Sequence, residues 1–144
     1  MPTRDATTHW TGGLQDGKGH VSLDSSNAGQ YDVSFPTRAG NPDGQTSPEE
    51  LIAAAHSACL AMNLSGVLDA EGLTATSIDV SAEVDLGPDP AGGFMLKGIA
   101  LTLRADLPGV DAERFAALAA TAERTCPVTK ALTGTTITLD AALT

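Results

Sequence analysis

A chain of 144 residues has the size of one ordinary domain, and a hydrophobic content of 42% indicates a globular protein. With 18 acidic against 8 basic residues, the formal net charge is −10, which argues against nucleic acid or an anionic membrane as a partner, because both are bound through Lys and Arg. The polar opening MPTRDATTHW and the lack of an unbroken apolar run of ~18 residues predict a cytoplasmic protein. Two cysteines and three histidines, without a CxxC, favour neither a secreted disulfide framework nor a closed zinc site.

The first third of the chain predicts short strands separated by turns. Thr7–Thr11, residues 20–24 and residues 31–35 alternate in polarity or carry β-forming residues, and glycine-rich pairs lie between them. A loop rich in Pro, Gly and Asn is expected over residues 36–46.

The motif SPEE predicts the start of a long helix. Ser47 suits the N-cap, Pro48 the first helical position, and Glu50 completes a capping box. No strong helix breaker follows before Gly72, so we expect a helix of about 23 residues. Its Ala-rich apolar surface indicates burial on several sides, in the centre of a domain or at a subunit interface.

The second half predicts a hairpin, two helices and a last strand. Strict alternation over residues 77–86 and a shift of parity within residues 94–107 indicate two strands with a bulge near Gly98. A helix over residues 111–124 is followed by a separate short helix in TCPVTKAL, because Pro127 fits only a new helix start. A strand over residues 135–143 ends the chain. The fold class is therefore α+β, largely antiparallel, with one domain over residues 1–144.

The two cysteines lie in different helical segments. Cys59, in LIAAAHSACLAM, lies on the apolar stripe of the long helix, where a free cysteine usually packs as a small hydrophobe. Cys126 precedes Pro127 at a helix start, near Arg124 and Lys130, where a thiolate is favoured. If the two thiols meet, a cytoplasmic pair suggests redox chemistry: one thiol reduces a peroxide and becomes a sulfenic acid, and the other resolves it as a disulfide.

Three other residues are candidates for the same site. Arg38 could keep a thiolate ionised, and Glu50 could orient its guanidinium group. Glu50 is about 13 Å of helical rise and half a turn away from Cys59, so a shared site would require Glu50 of another subunit. His56, three residues before Cys59, is either a structural histidine or the base of a Cys–His pair.

With SPEELIAAAHSAC and ERTCPVTKAL together, the chain resembles the OsmC/Ohr family, the osmotically inducible protein C and organic hydroperoxide resistance proteins, most of all the OsmC branch. The resemblance extends from GGLQDGKGHVS through FPTRAG and ATSIDVSAEVDL to TTITLDAAL. It implies an intertwined homodimer in which each long central helix is wrapped by curved antiparallel sheet. It also implies a thiol-dependent peroxidase that reduces organic hydroperoxides without haem, flavin or metal and is recycled by a dithiol such as a lipoylated protein.

The resemblance implies roles for four residues. Cys59 corresponds to the peroxidatic cysteine, Cys126 to the resolving cysteine and Glu50 to the active-site glutamate. The Ohr branch keeps its arginine in an early GGRDG-like turn, where this chain has Leu14, so the resemblance to the OsmC branch points to Arg38.

Two other classes of function stay open on the sequence. One is a thiol acyl-transferase or hydrolase that uses Cys59 with His56 and does not need Cys126. The other is a non-catalytic stress protein that holds a lipid-like molecule in an apolar cleft and keeps its function without the Cys59 thiol.

Overall fold

The first three strands form one antiparallel sheet. In the computed structural model, which describes residues 1–144, the strands are β1 (Thr7–Thr11), β2 (Lys18–Ser22) and β3 (Gln30–Val33), in the order β1-β2-β3. All three strands lie where the sequence predicts them, although β2 begins two residues earlier than residue 20 and β3 ends before residue 35.

Trp10 of β1 packs on two glycines, one directly before β2 and one within it. A Cβ atom added to Gly17 would lie 2.6 Å from the Trp10 ring, and one added to Gly19 would lie 2.8 Å from the ring and 2.7 Å from the Val33 side chain. All three distances are too short for a real Cβ atom, so only glycine at these two positions lets the indole approach this closely. The ring itself remains 41% exposed.

A short helix that the sequence analysis missed follows β3. Helix α1 (Phe35–Ala39) occupies positions that were predicted as the end of a strand and the start of a loop, and this prediction was wrong. Ser34 is the N-cap, its hydroxyl accepts a hydrogen bond from the Thr37 backbone N–H, and Pro36 lies in the first turn. These are ordinary helix-start signals, but an apolar β-forming context masks them in the sequence.

The long helix α2 (Pro48–Ala70) begins and ends as predicted. The Ser47 hydroxyl accepts a hydrogen bond of 3.1 Å from the backbone N–H three residues later. At the other end, Gly72 has a positive φ of 69°, and the Leu73 N–H donates to the Leu68 carbonyl at 2.9 Å. This is the glycine-terminated C-cap that the sequence indicates.

Helix α2 has a strongly apolar composition. Its most apolar window has a mean hydropathy of 1.6, so by length and composition alone this helix could span a membrane; that is weak evidence, because core helices of soluble proteins meet the same criterion. Only 22% of the window is buried by the chain itself. Met62, for example, is 70% exposed. The helix therefore presents apolar surface that this single chain does not cover.

The chain divides into two compact units, Met1–Leu51 and Ile52–Thr144. The first contains the three-stranded sheet, α1 and residues 48–51 of α2, and the second contains the rest of α2 and all later elements. That residues 1–144 act as a single domain stays a prediction.

A long hairpin dominates the second unit. Strands β4 (Ser77–Pro88) and β5 (Phe94–Asp106) pair antiparallel, and the polar and half-buried residues of β4 alternate as expected. The register shifts between Gly98 and Leu96, where Lys97 is the extra residue. The predicted bulge near Gly98 is therefore confirmed.

The remaining elements return the chain to this sheet as a third strand that runs in the same direction as β5. Helix α3 (Ala112–Thr125) and helix α4 (Pro127–Ala131) lead to strand β6 (Ile137–Leu143), which pairs parallel with β5. Three of the four interstrand ladders are antiparallel, which confirms the largely antiparallel arrangement, and the β5–β6 ladder is the exception. The reason is the helical crossover between β5 and β6, which brings the chain back to the end of the sheet where β5 began.

The core of the second unit lies between α2, β5 and α3. Leu60, Leu64 and Leu68, spaced at one turn on α2, are at most 1% exposed. They belong to one cluster with the inward residues of β5 and the buried face of α3: Ile99, Leu101, Leu103, Ala105, Phe115, Leu118, Ala119 and Ala122. This packing holds α2 and the end of α3 in place beside each other.

Candidate active site

Helix α2 places Cys59 at the edge of its buried face. Its neighbour Leu60 is completely buried, whereas Cys59 itself is partly exposed. The prediction that Cys59 lies on the buried stripe with Ala55 and Met62 is wrong, because both of those residues are exposed. The core face of α2 is instead formed by His56, Leu60, Leu64 and Leu68, and Cys59 lies beside it, next to Leu60. A thiol at this position is accessible to a small molecule, unlike a thiol in the middle of a core.

Cys126 lies at the junction of two helices and is completely buried. It is both the C-cap of α3 and the N-cap of α4, and Pro127 begins the second helix as the sequence predicts. Its sulfur lies 3.2 Å from the sulfur of Cys59. Both cysteines are free thiols. The fold thus brings two residues that are 67 positions apart in the chain into a contact that is suited to disulfide formation.

An asparagine one turn along α2 fastens this junction. Asn63 Nδ2 donates to the Ala122 carbonyl at 2.6 Å and to the Thr125 hydroxyl at 2.8 Å. Because Thr125 directly precedes Cys126, these hydrogen bonds hold the end of α3, and with it the second thiol, against α2. The sequence analysis did not single out Asn63.

The two thiols have opposite tendencies to ionise. Burial raises the pKa of Cys59; the Val128 backbone lowers it, and the neighbouring Cys126 raises it again. Burial alone would also raise the pKa of Cys126, but the Thr129 backbone N–H, the Cys59 thiol, the Thr129 hydroxyl and the Val128 backbone together lower the pKa of Cys126 below its usual value. Cys126 makes no side-chain capping hydrogen bond with α4, so the backbone N–H groups act on its sulfur as nearby dipoles.

His56 is turned toward Thr129. Its Nε2 lies 2.8 Å from the Thr129 hydroxyl oxygen, the ring is completely buried, and Nδ1 has no hydrogen-bond partner. Burial lowers the pKa of His56 and so favours the neutral imidazole, and the Glu123 carboxylate opposes this effect only in part. Neither ring nitrogen makes a hydrogen bond to Cys59, so the Cys–His pair considered for a hydrolase is not formed.

Arg38 and its carboxylate partner lie in the first unit. Arg38 Nε is 3.1 Å from both carboxylate oxygens of Glu49, and Arg38 Nη2 is 2.7 Å from Oε1. Glu49 is 8% exposed, and its hydrogen bonds raise the pKa of Arg38. The guanidinium fork is therefore held in one orientation by a nearly buried carboxylate.

The carboxylate that pairs with Arg38 is not the one considered in the sequence analysis. Glu50 is exposed and accepts a hydrogen bond of 2.9 Å from the Thr46 hydroxyl, so the Arg38–Glu50 pairing is replaced by Arg38–Glu49. The physical reason is the helical rotation of about 100° per residue, which turns adjacent side chains to different sides of α2. The catalytic role predicted for Glu50 stays a prediction.

An apolar pocket of about 320 Å³ opens beside Arg38. It is lined by Trp10, Leu14, Val33, Ser34, Phe35, Arg38 and Pro48. Leu14, the residue that replaces arginine in the GGLQDG turn, therefore shares one pocket with Arg38, so that Arg38 is the cationic residue of this lining. Pockets of this character bind the hydrocarbon part of a small ligand.

The site residues that sequence reasoning missed are Glu49, Asn63 and Thr129. Glu49 was adjacent to the residue chosen, and only the position of α1 decides which of the two carboxylates reaches Arg38. Thr129 follows Cys126 by three positions in TCPVT, a spacing that is typical of side chains that lie close together at a helix start. No group of three or more His, Cys, Asp or Glu side chains is assembled as a metal site.

Known proteins match this chain along most of its length. Residues 40–140 match the family described as OsmC-like protein. The peroxiredoxin OsmC of Escherichia coli K12 is 44% identical over 132 residues, which cover 92% of this chain and 90% of that protein. The organic hydroperoxide resistance protein of Xanthomonas axonopodis pv. citri is 31% identical over 115 residues, 78% of each chain.

Solved structures have the same fold. An organic hydroperoxide resistance protein from Elizabethkingia anophelis superposes with a TM-score of 0.83 at 30% identity, covering 100% of this chain and 98% of that chain. An organic hydroperoxide resistance protein OsmC from Legionella pneumophila superposes with a TM-score of 0.81 at 29% identity, covering 99% and 98%. The mixed α+β fold, with two sheets and a long helix, is thus shared along the whole chain, and with the family match and the sequence identities it shows that the chain belongs to the OsmC-like protein family.

Proposed function

We propose that this chain is a thiol-dependent peroxidase that reduces organic hydroperoxides to alcohols. The observation that carries the proposal is the 3.2 Å contact between the sulfurs of Cys59 and Cys126, both of them free. Two thiols at this separation are suited to trap an oxidised intermediate as a disulfide. The names of the relatives, peroxiredoxin and organic hydroperoxide resistance protein, describe the same class of chemistry.

The exposure of the two thiols suggests their order of reaction. Cys59 is partly exposed and Cys126 is completely buried, so the peroxide meets Cys59 first. The Cys59 thiolate attacks one peroxide oxygen, the O–O bond breaks, and the alkoxide takes up a proton and leaves as the alcohol. The Cys126 sulfur then attacks the sulfenic sulfur of Cys59, the S–S bond forms, and hydroxide leaves as water. A dithiol donor reduces this disulfide by exchange and is itself oxidised.

Arg38 is the cationic group proposed for this reaction. A guanidinium group stabilises both a thiolate and the oxygen charge that develops as the O–O bond breaks. Glu49 supports this role because it holds the guanidinium fork in place through three N–H···O contacts. The apolar pocket beside Arg38 suits the hydrocarbon part of an organic hydroperoxide better than hydrogen peroxide.

We also propose that the chain is a homodimer. The first sheet and α2 leave large apolar side chains uncovered, with Leu14 60%, Met62 70% and Trp10 41% exposed. A second copy would bury such surfaces, as the family resemblance implies. We expect Met62→Lys to weaken the dimer in light scattering, whereas Ala116→Lys, on the exposed face of α3, leaves it intact; monomeric wild type would contradict the proposal.

The donor and the location are proposed on chemical grounds. The disulfide must be reduced in each cycle, so we propose a dithiol donor such as a lipoylated protein, and a reducing compartment such as the cytoplasm suits the cycle.

Multiple-turnover kinetics test the peroxidase proposal. Wild type with dihydrolipoamide as donor should consume cumene hydroperoxide faster than hydrogen peroxide, and Cys59→Ser should be inactive. Cys126→Ser should react once and leave a sulfenic acid on Cys59 that dimedone traps. Wild type inactive with both peroxides would overturn the proposal, and full multiple turnover by Cys126→Ser would overturn the role of Cys126.

A further inference from the structure

Two polar side chains of α2 lie on either side of Cys59 along one face of the helix. His56 precedes Cys59 by three residues and Asn63 follows it by four, the spacings at which helical side chains are neighbours. Each of them is hydrogen-bonded to the segment that carries Cys126: His56 to Thr129, three residues after it, and Asn63 to the last turn of α3, before it. The junction that carries the second thiol is therefore attached to α2 at two points, one on each side of Cys126 in the chain.

The attachment through Asn63 uses a carbonyl that has no partner within its own helix. In a continuing α-helix the Cys126 N–H would donate to the Ala122 carbonyl, but here it donates to the Glu123 carbonyl at 3.2 Å, because α3 ends at Thr125. Ala122 is completely buried, so water does not reach its carbonyl. Asn63 supplies the missing donor at 2.6 Å. This hydrogen bond thus satisfies a buried backbone group, which is costly to leave without a partner.

The same contacts fix the orientation of the Asn63 amide. The Thr125 hydroxyl donates to the Thr121 carbonyl at 2.8 Å, so its oxygen acts as an acceptor toward Asn63. Both groups that face Asn63 Nδ2 are therefore acceptors, and they use the two N–H groups of the amide. Neither an apolar side chain nor a carboxylate could make these two contacts. The amide holds Thr125, the residue directly before the second thiol, in one place against α2.

We propose that Asn63 is a positioning residue for disulfide formation: it holds Cys126 against Cys59, so that the sulfenic acid on Cys59 becomes a disulfide before a second peroxide molecule oxidises it further. The inference rests on the proposed peroxidase function and deepens it. The two sulfurs are 3.2 Å apart, and a disulfide bond is about 2.0 Å long, so the bond forms after a small movement of the side chains. A thiol that is held in contact does not wait for a segment of the chain to move. Asn63 itself does not touch the peroxide.

Two reactions compete for the sulfenic acid. In the first, the electron pair of the Cys126 sulfur forms the S–S bond, the S–O bond on Cys59 breaks, and the leaving hydroxide takes the Cys126 proton and departs as water. In the second, the sulfenic sulfur attacks another peroxide molecule and its O–O bond breaks. One oxygen stays on Cys59 as the sulfinic acid, and the alkoxide takes up the released proton and leaves as the alcohol. A dithiol does not reverse the sulfinic acid, so the position of Cys126 decides how long the protein stays in the cycle.

Disulfide formation can be measured without peroxide. An aromatic disulfide, dithiobis(nitrobenzoic acid), reacts first with Cys59, the partly exposed thiol, and releases one coloured thiolate; Cys126 then attacks the Cys59 sulfur of the mixed disulfide and releases the second. Cys126→Ser should release only the first. Asn63→Leu nearly keeps the volume of the side chain but removes both donors. We expect its second release to be about tenfold slower than in wild type and its first release to be unchanged.

Ile99→Val is the control for a loss of stability, because it removes one methylene group from the core cluster, to which neither cysteine belongs. Both of its releases should have wild-type rates. If Asn63→Leu does not give the native circular dichroism spectrum, Asn63→Ala replaces it with the same expectation. A second release that is unchanged in the Asn63 variant, equal slowing of both releases, or the same slowing in Ile99→Val would overturn the inference.

The competition itself is measured with cumene hydroperoxide and mass spectrometry of Cys59. We expect half of Cys59 to become sulfinic acid at a peroxide concentration about tenfold lower in Asn63→Leu than in wild type, because only disulfide formation is slowed. An unchanged concentration would also overturn the inference. A wild type that releases both coloured thiolates but does not reduce cumene hydroperoxide would overturn the proposed function and leave the role of Asn63 in disulfide formation in place.

Discussion

The ion pair between Arg38 and Glu49 gives a prediction in which two adjacent glutamates serve as test and control. Glu49→Gln keeps the size of the side chain but removes its charge and turns an NH₂ group toward the guanidinium. A hydrogen bond to a charged group contributes about 1.5–3 kcal/mol to stability. Because the Arg38 side chain is 34% exposed, water can take the place of some of the lost hydrogen bonds and reduce the cost. We expect the free energy of unfolding to fall by about 1–2 kcal/mol and Tm by about 3–6 °C.

The effect on activity should be larger than the effect on stability. Without Glu49 the guanidinium is free to rotate, and a displaced catalytic charge lowers kcat/KM by about 10- to 100-fold. Glu50→Gln is the control for stability: Glu50 is exposed and its side chain accepts a hydrogen bond from Thr46, so we expect less than about 0.5 kcal/mol of destabilisation. Thermal unfolding followed by circular dichroism measures the stability of both variants, and cumene hydroperoxide consumption measures the activity of Glu49→Gln. Equal losses of stability in the two variants, or a larger loss of stability for Glu50→Gln, would refute the reasoning.

Three further predictions concern the second unit. One equivalent of cumene hydroperoxide should remove both free thiols and give an intrachain Cys59–Cys126 disulfide on peptide mapping, whereas a disulfide only between chains would contradict the 3.2 Å contact. Burial lowers the pKa of His56 below 6.5, so just below pH 6.5 the unfolded chain binds a proton on His56 that the folded chain does not bind. The contribution of His56 to stability is therefore fully present above pH 6.5. As the pH drops toward the folded pKa, the free energy of unfolding falls by up to about 1.4 kcal/mol per pH unit. In urea unfolding, His56→Gln should flatten this slope, and an unchanged slope would exclude His56 as its source. Leu64→Ala, at a position that is 0% exposed, should cost about 2–5 kcal/mol in the same assay, and a cost below that range would mean that the core relaxes around the cavity.

Much of the secondary structure could be predicted because its signals are local. Ser47 and Gly72 mark the ends of α2 through capping that involves only nearby backbone, and Pro127 separates α4 from α3 for the same reason. The bulge at Lys97 follows from a change in side-chain parity within one strand. Helix α1 was missed because its start signals lie inside a stretch with β-forming neighbours. The parallel pairing of β6 was missed because strand direction is set by a crossover, which local pattern does not contain.

The family, the α+β class, the long helix and the two candidate cysteines can be recognised in the sequence, because they depend on composition, local spacing and the motifs SPEELIAAAHSAC and ERTCPVTKAL. The contact between the sulfurs of Cys59 and Cys126, and the orientation of His56 toward Thr129 instead of the thiol beside it on the helix, arise from tertiary packing. Tertiary packing also places Glu49 and not Glu50 on Arg38. These contacts join segments far apart in the chain or depend on the rotation of one side chain about a helix axis. Their energies come from neighbours that a linear pattern does not identify.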